Sequence, residues 1–310
     1  MSMLQISGVH KAYKAVRALN GVDMTIGDQG IYGLVGPNGA GKTTLFSVIC
    51  GFLGADSGTV TVAGQKVSPQ QPPASGVLSI LPQDARFPTG VPVGELLTHY
   101  ARLQGMSKGK ARVEAERVLA LVNLSEVFKR SASTLSHGMY KRVGIAQAFI
   151  GNPKLVILDE PTAGLDPHAA REVRGMVRSI CIDRCVIVSS HNLLEIEDLC
   201  QHVTILHKGQ VVRQAEMGAI KGEGAEVSFR MSSEPDADVS ARLASMPEVS
   251  GVEWDVNAGR LRVLINTKMT TPEEVSSTLV QVLVTSGVKF LDMSVGASLE
   301  DRFLRETGGE

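Results

Sequence analysis

A glycine-rich segment, residues 36–44, contains the residue types and spacing best suited to chemistry in this sequence. It reads Gly-Pro-Asn-Gly-Ala-Gly-Lys-Thr-Thr and lies between an apolar run, residues 31–35, and a predicted helix start, residues 45–49. Glycines let the backbone bend around an anion, successive N–H groups form an anion nest, and the positive end of the helix dipole faces it. Lys42 can reach the β- and γ-phosphates of a nucleotide, and the Thr43 hydroxyl can bind Mg²⁺. The spacing therefore predicts a phosphate-binding loop.

Two carboxylates follow a second apolar run. Residues 155–158 are all apolar, as in a central parallel strand covered on both faces, and Asp159 and Glu160 come directly after them. Functional residues gather at the carboxyl ends of such strands, beside the phosphate loop. Asp159 is therefore expected to hold Mg²⁺, and Glu160 to orient or deprotonate an attacking water. His191 follows a third buried run, residues 185–190; it could hydrogen-bond a γ-phosphate, although a lone histidine is more often structural.

The elements that position these groups predict an α/β domain. Short alternating strands are expected at residues 4–6 and 22–26, and Tyr13 lies between them. From its position alone, Tyr13 is equally an aromatic platform for a nucleobase or an ordinary half-buried tyrosine. Residues 93–150 have helical spacing and no strand pattern, which predicts a helical subdomain inserted in the α/β domain.

A second domain is predicted after a glycine-rich linker at residues 221–224. Three alternating segments, a short helix near residues 236–245, a helix capped by Thr271 and a last strand at residues 291–295 give the order βαββαβ of ferredoxin-like α+β units. We find no catalytic constellation in it. The predicted domains are residues 1–222 and 223–310.

Composition narrows the function class. A length of 310 residues allows about two domains of ~150 residues. The 31 basic and 32 acidic residues nearly cancel, which argues against a general nucleic-acid surface. The start of the chain lacks a secretory signal, and no apolar run reaches the ~18–20 residues of a membrane span. The protein is expected to be cytoplasmic, and any membrane role to go through a partner. Buried reduced thiols are expected at Cys50, Cys181, Cys185 and Cys200.

These motifs occur together with a further segment, Leu-Ser-His-Gly-Met at residues 135–139, which precedes a predicted helix. The sequence resembles the ATP-binding cassette (ABC) ATPases over residues 1 to about 222. Within that family it most resembles the ATP-binding subunits of ABC-2-type exporters. Three features carry this resemblance: the compact helical insert, the accessory domain and the segment Ser-Leu-Glu-Asp-Arg-Phe-Leu at residues 298–304. The resemblance implies a P-loop NTPase (RecA-like) core with an antiparallel β subdomain and the helical insert.

The resemblance also implies a role for each matching residue. Tyr13 matches the aromatic residue that stacks on adenine, and Gln83 matches the glutamine that touches Mg²⁺ or the attacking water and couples to the transmembrane partner. Asp159, Glu160 and His191 match the Mg²⁺-site aspartate, the catalytic glutamate and the switch histidine. The remaining implied ATP-binding positions are Asn38, Gly39, Ala40, Gly41, Lys42, Thr43 and Thr44, with Ser136 and Gly138 reaching the ATP of the opposite subunit and Asp166 in the loop at the dimer interface.

The signature segment departs from the usual Leu-Ser-Gly-Gly-Gln. Ser136 and Gly138 remain, and with the helix start they are the groups that donate to a phosphate. His137 adds bulk in place of a glycine, and Met139 lacks the amide of the usual glutamine. A methionine at this place is familiar in ABC-2-type relatives, so we expect an active site whose turnover could be slow. Lys14, where a glycine often follows the aromatic residue, carries little weight.

The function implied is a subunit that dimerises around two ATP, as a homodimer or with a related cassette, and powers transmembrane permease subunits on a separate chain. It would lie on the cytoplasmic face of the cell membrane, and no nucleic acid is expected. The readings left open are a soluble ABC ATPase that acts on a non-membrane partner, an import ATPase, and a slow or binding-only cassette that senses ATP. The substrate and the role of the second domain stay open.

Overall fold

Contacts within the computed structural model divide the chain after Ala215, into Met1–Ala215 and Glu216–Glu310. The structure describes residues 2–181, 184–222, 226–256 and 259–296, together with residues 299, 303 and 307. Among these residues, none of the helices is long and apolar enough to cross a membrane. The domain boundary after residue 222 stays a prediction. Most of the segment at residues 298–304, which resembles that of ABC-2-type exporters, lies outside the described residues.

The strands are β1 Leu4–Tyr13, β2 Val16–Ile26, β3 Gly30–Val35, β4 Ser57–Val62, β5 Gln65–Lys66, β6 Leu78–Leu81, β7 Leu155–Asp159, β8 Cys185–Ser189, β9 His202–His207, β10 Gln210–Glu216, β11 Glu226–Arg230, β12 Val249–Asp255, β13 Arg260–Ile265 and β14 Asp292–Val295. The α-helices are α1 Lys42–Ile49, α2 Val93–Leu103, α3 Lys108–Leu121, α4 His137–Ala148, α5 Pro167–Ile180, α6 Leu193–Leu199, α7 Met217–Gly222, α8 Ala237–Ala244 and α9 Pro272–Thr285.

A six-stranded sheet with the order β10-β9-β3-β8-β7-β6 forms the centre of the first unit. The pairs β6–β7, β7–β8, β8–β3 and β3–β9 are all parallel. Every residue of β7 and β8 is buried. This confirms the prediction, from their apolar runs, that both strands are covered on both faces. Because these strands are parallel, the segments that follow β3, β7 and β8 emerge at one edge of the sheet.

A second sheet in this unit, β2-β1-β4-β5, is antiparallel. Its first two strands are far longer than the segments expected at residues 4–6 and 22–26, and they close into a ribbon whose tip pairs Tyr13 with Val16. Register shifts interrupt the ribbon at three places, so the alternation that identifies a strand is lost there. Helix α1 packs between the sheets through Leu45, Phe46 and Ile49, which are buried in the shared core.

Helices α2, α3 and α4 form the insert between β6 and β7, with short 3₁₀ turns at Ser125–Val127 and Ala132–Thr134. The buried face of α3 consists of Ala111, Ala115, Val118 and Leu119, which is the helical spacing seen in the sequence. The start of α2 packs directly on the 3₁₀ segment, since the Gly94 N–H donates to Phe128 O at 2.8 Å.

The second unit has an antiparallel sheet of order β12-β13-β11-β14 with α8 and α9 between its strands in the chain. Its element order, β11-α8-β12-β13-α9-β14, is the predicted βαββαβ order. Helix α9 begins with the expected cap, since Thr271 and Glu274 form a capping box ahead of Pro272. The core of this unit includes Val227, Phe229, Leu243, Leu261, Val263, Leu279 and Leu283.

Two glycines at equivalent places in the insert test its packing. Gly94 and Gly109 are each the second residue of a helix, α2 and α3. A Cβ at Gly94 would lie 2.4 Å from the ring of Phe128, whereas nothing lies within 4 Å of the Cβ position at Gly109. Gly94→Ala should therefore lower the free energy of unfolding by about 1–3 kcal/mol through overpacking. Gly109→Ala should raise it by up to about 1 kcal/mol, because alanine favours the helix.

The measurement is urea unfolding of the full chain followed by circular dichroism, with Gly109→Ala as the matched control. Equal unfolding midpoints for the two variants would contradict the close packing of α2 on Phe128.

Candidate functional site

The predicted phosphate loop joins the end of β3 to the start of α1. Gly39 and Gly41 have positive φ angles of 83° and 108°, which glycine adopts without cost. A Cβ at Gly41 would lie 2.4 Å from Ala18 O, and one at Gly36 would lie 2.2 Å from Leu206 O. The first turn of α1 holds no acidic residue, so its free N–H groups and dipole favour an anion. The loop geometry therefore suits a phosphate group.

Lys42 lies beneath this loop and is only 8% exposed. Its Nζ donates to Gly36 O at 2.6 Å and to Pro37 O at 3.3 Å. Burial lowers the pKa of Lys42, while the nearby carboxylates of Glu160 and Asp159 act in the opposite direction. The chain thus holds a lysine close to the loop and out of bulk water, where it can meet an incoming phosphate.

Asp159 ends β7 directly beside Ser189, which ends β8. The Ser189 hydroxyl donates to Asp159 Oδ1 and accepts from the Glu160 N–H at 2.9 Å. Burial raises the pKa of Asp159, the Ser189 hydrogen bond opposes that rise, and the negative charge of Glu160 adds to it. Asp159 and Glu160 place two negative charges close together, and a divalent cation would offset them. The donor set, with the Thr43 hydroxyl nearby in the same cavity, fits Mg²⁺.

Glu160 and His191 form a direct pair. Glu160 Oε2 lies 2.8 Å from His191 Nδ1. The carboxyl side chain is 6% exposed and the imidazole 67% exposed, so the pair spans from the interior to the surface. Glu160 has a φ of +50°, in the left-handed region that few non-glycine residues occupy. Such backbone conformations cluster at functional sites, because the surrounding structure must hold them in place.

One cavity of about 330 Å³ brings most of the predicted residues together. The loop forms one wall, Gln83, Asp159, Glu160 and His191 form another, and Val16 and Ala18 add an apolar edge that the sequence did not predict. Tyr13 is not part of the lining; it is 48% exposed at the tip of the β1–β2 ribbon, next to Val16. The predicted residues that line the cavity are Asn38, Gly39, Ala40, Gly41, Lys42, Thr43, Thr44, Gln83, Asp159, Glu160 and His191.

Ser136, Gly138 and Asp166 do not line this cavity. Ser136 caps α4 by accepting from the Met139 N–H at 3.3 Å, and Asp166 caps α5 by accepting from two backbone N–H groups at 3.0 Å. The two helix starts lie side by side, since a Cβ at Gly138 would lie 3.6 Å from Ala169 Cβ. The resemblance implied that these three residues serve the opposite subunit or the dimer interface, and their roles stay predictions.

Gln83 lies between these two groups. Besides the first cavity, it lines a second cavity of about 580 Å³ together with His137, Lys141 and Gly164. Lys141 Nζ donates to Gln83 O at 3.3 Å, which ties the glutamine's backbone to α4. His137, which replaces a glycine of the usual signature segment, points toward the loop before α5. Its Nε2 lies 3.2 Å from the Cβ position of Gly164.

Sequence reasoning missed Ser189, which connects both carboxylate residues. The signal was present: a hydroxyl residue near the carboxyl end of the buried run at residues 185–190, two residues before a candidate histidine. It could be recognised only once β7 and β8 were known to be neighbours with Asp159 opposite Ser189.

The sequence profile of the family described as ABC transporter matches residues 19–163. The chain is similar to the linearmycin resistance ATP-binding protein LnrL of Bacillus subtilis (strain 168), with 30% identity over 99% of this chain and 98% of that protein. It is 31% identical to the Nod factor export ATP-binding protein I of Rhizobium sp. (strain N33), over 99% of this chain and 97% of that protein.

Solved structures agree on the fold of the first unit. The ADP conformation of MJ1267, an ATP-binding cassette of an ABC transporter, has a TM-score of 0.61 and 26% identity, covering 71% of this chain and 94% of that one. The similarity to the linearmycin resistance protein extends over nearly the whole chain, at an identity and coverage that show the family. The chain therefore belongs to the ABC transporter family and is one of its ATP-binding, ATP-hydrolysing subunits.

Proposed function

We propose that this chain is the energy-coupling subunit of an exporter, in which Glu160 and His191 activate water for ATP hydrolysis. The observation that supports it most directly is the 2.8 Å contact between Glu160 and His191 in the same cavity as the phosphate loop. The relatives whose names state resistance to linearmycin or export of Nod factor support the direction of transport. The transported compound is left open.

In this proposal the loop N–H groups and Lys42 bind the phosphates of ATP, and Thr43, Asp159 and Gln83 would hold Mg²⁺. The metal, when bound, supplies positive charge that stabilises the negative charge developing on the phosphate oxygens. Tyr13 and Val16, at the exposed ribbon tip, offer the base an apolar surface. Binding and orientation by these groups supply much of the catalysis that phosphoryl transfer needs.

Glu160 acts as the group that orients and deprotonates the water. Its side chain is almost wholly buried and keeps one oxygen engaged by His191, so the second oxygen has a fixed direction. His191, on the exposed side, is placed to bridge Glu160 and the terminal phosphate. The strained backbone at Glu160 is the cost of aiming its carboxylate along the edge of the sheet.

Ser136, Gly138 and Asp166 are proposed to contact the ATP bound by a second copy of the chain. They lie outside the cavity of their own subunit, and the start of α4 presents N–H groups with no acidic residue in its first turn. A two-fold arrangement of identical subunits would let each copy complete the site of the other. Each site is then whole only in the ATP-bound dimer.

Coupling to a membrane subunit on another chain is proposed to pass from Gln83 to the helical insert. The segment after Gln83 is tied to α4, because the Phe87 N–H donates to Tyr140 Oη at 2.7 Å. Next to it, the insert has a groove of about 950 Å³ whose lining includes Pro88, Leu96 and Phe128. We place the permease on this groove, so the chain would lie on the cytoplasmic face of the membrane and meet it only through that partner.

Glu160→Gln tests the proposed base. The amide keeps the size of the side chain but cannot accept a proton, so phosphate release should fall by about 10²–10⁴-fold while ATP is still bound. The uncleaved ATP should then hold two copies together, as a dimer seen by light scattering in ATP and Mg²⁺. Glu172→Gln is the matched control, because Glu172 is an exposed carboxylate on α5. Monomers alone in ATP, with hydrolysis persisting, would show that the assignment of Glu160 is wrong.

Ser189→Ala tests the proposed metal site. Removing the hydroxyl frees Asp159 Oδ1 from the bond that orients it, and groups that orient metal ligands typically contribute about 10–100-fold in affinity. The Mg²⁺ concentration that half-activates phosphate release should rise by at least about tenfold. Ser179→Ala serves as control, because the Ser179 hydroxyl donates to Met176 O within α5, away from the carboxylates. An unchanged Mg²⁺ requirement would argue against Asp159 as the metal-site residue.

A further inference from the structure

Glu195, in the first turn of α6, contacts a residue close in the chain to each member of the Glu160–His191 pair. Its side chain is only 15% exposed, although an acid in a first turn commonly faces solvent. One oxygen, Oε2, accepts from Thr162 Oγ1 at 2.6 Å and from Ser190 Oγ at 3.2 Å. Each of these hydroxyl residues lies close in the chain to one member of the pair.

Thr162 fixes the backbone that follows Glu160. It lies two residues after Glu160 and is 8% exposed. The turn between them is closed by the Ala163 N–H, which donates to Glu160 O at 3.1 Å, and the next turn by the Leu165 N–H, which donates to Thr162 O at 3.1 Å. The bond from Thr162 to Glu195 anchors these turns to α6, and with them the left-handed backbone of Glu160.

Ser190 fixes the backbone on the other side. It is 2% exposed and immediately precedes His191. Its hydroxyl donates to Glu195 and accepts from the Asn192 N–H at 3.0 Å, so it holds the residues on either side of His191 in a defined turn. The interactions therefore form a closed ring, from Glu160 through Thr162 and Glu195 to Ser190 and His191, and back to Glu160.

Arg174 on α5 holds the carboxylate of Glu195 in place. Its Nη1 donates to Glu195 Oε1 at 3.1 Å, which leaves Oε2 for the two hydroxyls. Arg174 Nε also binds Asp198 Oδ2 at 3.1 Å, and Arg178 binds the other oxygen of Asp198. Asp198 thus shares the arginine with Glu195, and its side-chain hydrogen bonds within the described part of the chain go to Arg174 and Arg178.

We propose that Glu195 is a positioning residue for ATP hydrolysis, which sets the distance and angle between Glu160 and His191 through Thr162 and Ser190. The proposal rests on the roles given above to Glu160 and His191. A carboxylate suits the task because one oxygen can accept two hydroxyl protons while the other pairs with an arginine. A methyl group at this place would leave both hydroxyls without their acceptor, and an amide would present an N–H group to Arg174 in place of the oxygen that pairs with it.

A residue that only joined α6 to α5 would give a different result on mutation. Its loss would lower stability and leave the chemistry of a folded protein unchanged. Loss of a positioning residue lowers kcat with little change in the binding of ATP, because the phosphate loop and Lys42 do not depend on it. Small errors in the placement of reacting groups are known to cost about 10²-fold.

The experiment compares variants of the full chain by phosphate release, by ATP binding and by thermal unfolding. Thr162→Val removes the hydroxyl with little change in volume, and Thr162→Ser keeps the hydroxyl as its matched control. Glu195→Ala removes the acceptor, and Asp198→Asn disturbs the same arginine without touching the ring. Glu160→Gln reports separately whether the proposed base is right.

We expect Glu195→Ala and Thr162→Val to lower kcat about tenfold or more, with KM and the Kd for ATP within about twofold of wild type. Thr162→Ser and Asp198→Asn should stay near the wild-type kcat. Because Glu195→Ala already removes the acceptor of the Thr162 hydroxyl, the double variant should be no slower than Glu195→Ala alone. If Glu195→Ala does not fold, the Thr162 pair still decides the matter.

The proposal is overturned if Thr162→Val and Thr162→Ser have equal kcat, or if Glu195→Ala behaves like Asp198→Asn. Those results with an inactive Glu160→Gln would leave the proposed function intact and remove only the role of Glu195. An active Glu160→Gln would instead remove the pair that Glu195 is proposed to position.

Discussion

Three charged side chains are buried at one edge of the parallel sheet, and the rest of the cassette must keep them stable there. Lys42, Asp159 and Glu160 are each at most 8% exposed, and burial acts against the charged form of Lys42 and of Asp159. Such charges persist only where opposite charges and hydrogen bonds are held nearby. The loop carbonyls, Ser189 and His191 supply these bonds. A triphosphate and a divalent cation would complete the balance that the protein leaves open.

The strand order explains how residues far apart in the chain meet. Strand β8 lies between β3 and β7, and all three run in the same direction. Their carboxyl ends therefore deliver the loop with Lys42, the two carboxylates, and the segment from Ser189 to His191 to one place. Parallel pairing needs a crossover between strands, and helical crossovers cover the faces of such a sheet, in keeping with the complete burial of β7 and β8.

Much of this could be predicted because it depends on local patterns. The phosphate loop, the apolar runs of β7 and β8 and the carboxylates after β7 are each contained in a few consecutive residues. The β1–β2 ribbon could not be predicted at its true length, because its bulges break the alternation of inward and outward side chains. The apolar edge that Val16 and Ala18 add to the cavity was missed because both residues lie in this ribbon. Ser189 and Glu195 depend on which strands and helices become neighbours, and a single sequence does not state that.

The end of β8 shows why these contacts belong together. Ser189 is the last residue of β8 and Ser190 follows it, and their hydroxyls have different neighbours. Ser189 bonds to the carboxylate residues at the end of β7, while Ser190 bonds to Glu195 on α6, and His191 then returns to Glu160. Three consecutive side chains thus contact the proposed metal-site residue, helix α6 and the proposed base. A shift of α6 would reach Glu160 by two routes, through Thr162 and through His191. Contacts within a single subunit thus connect α6 to the Glu160–His191 pair.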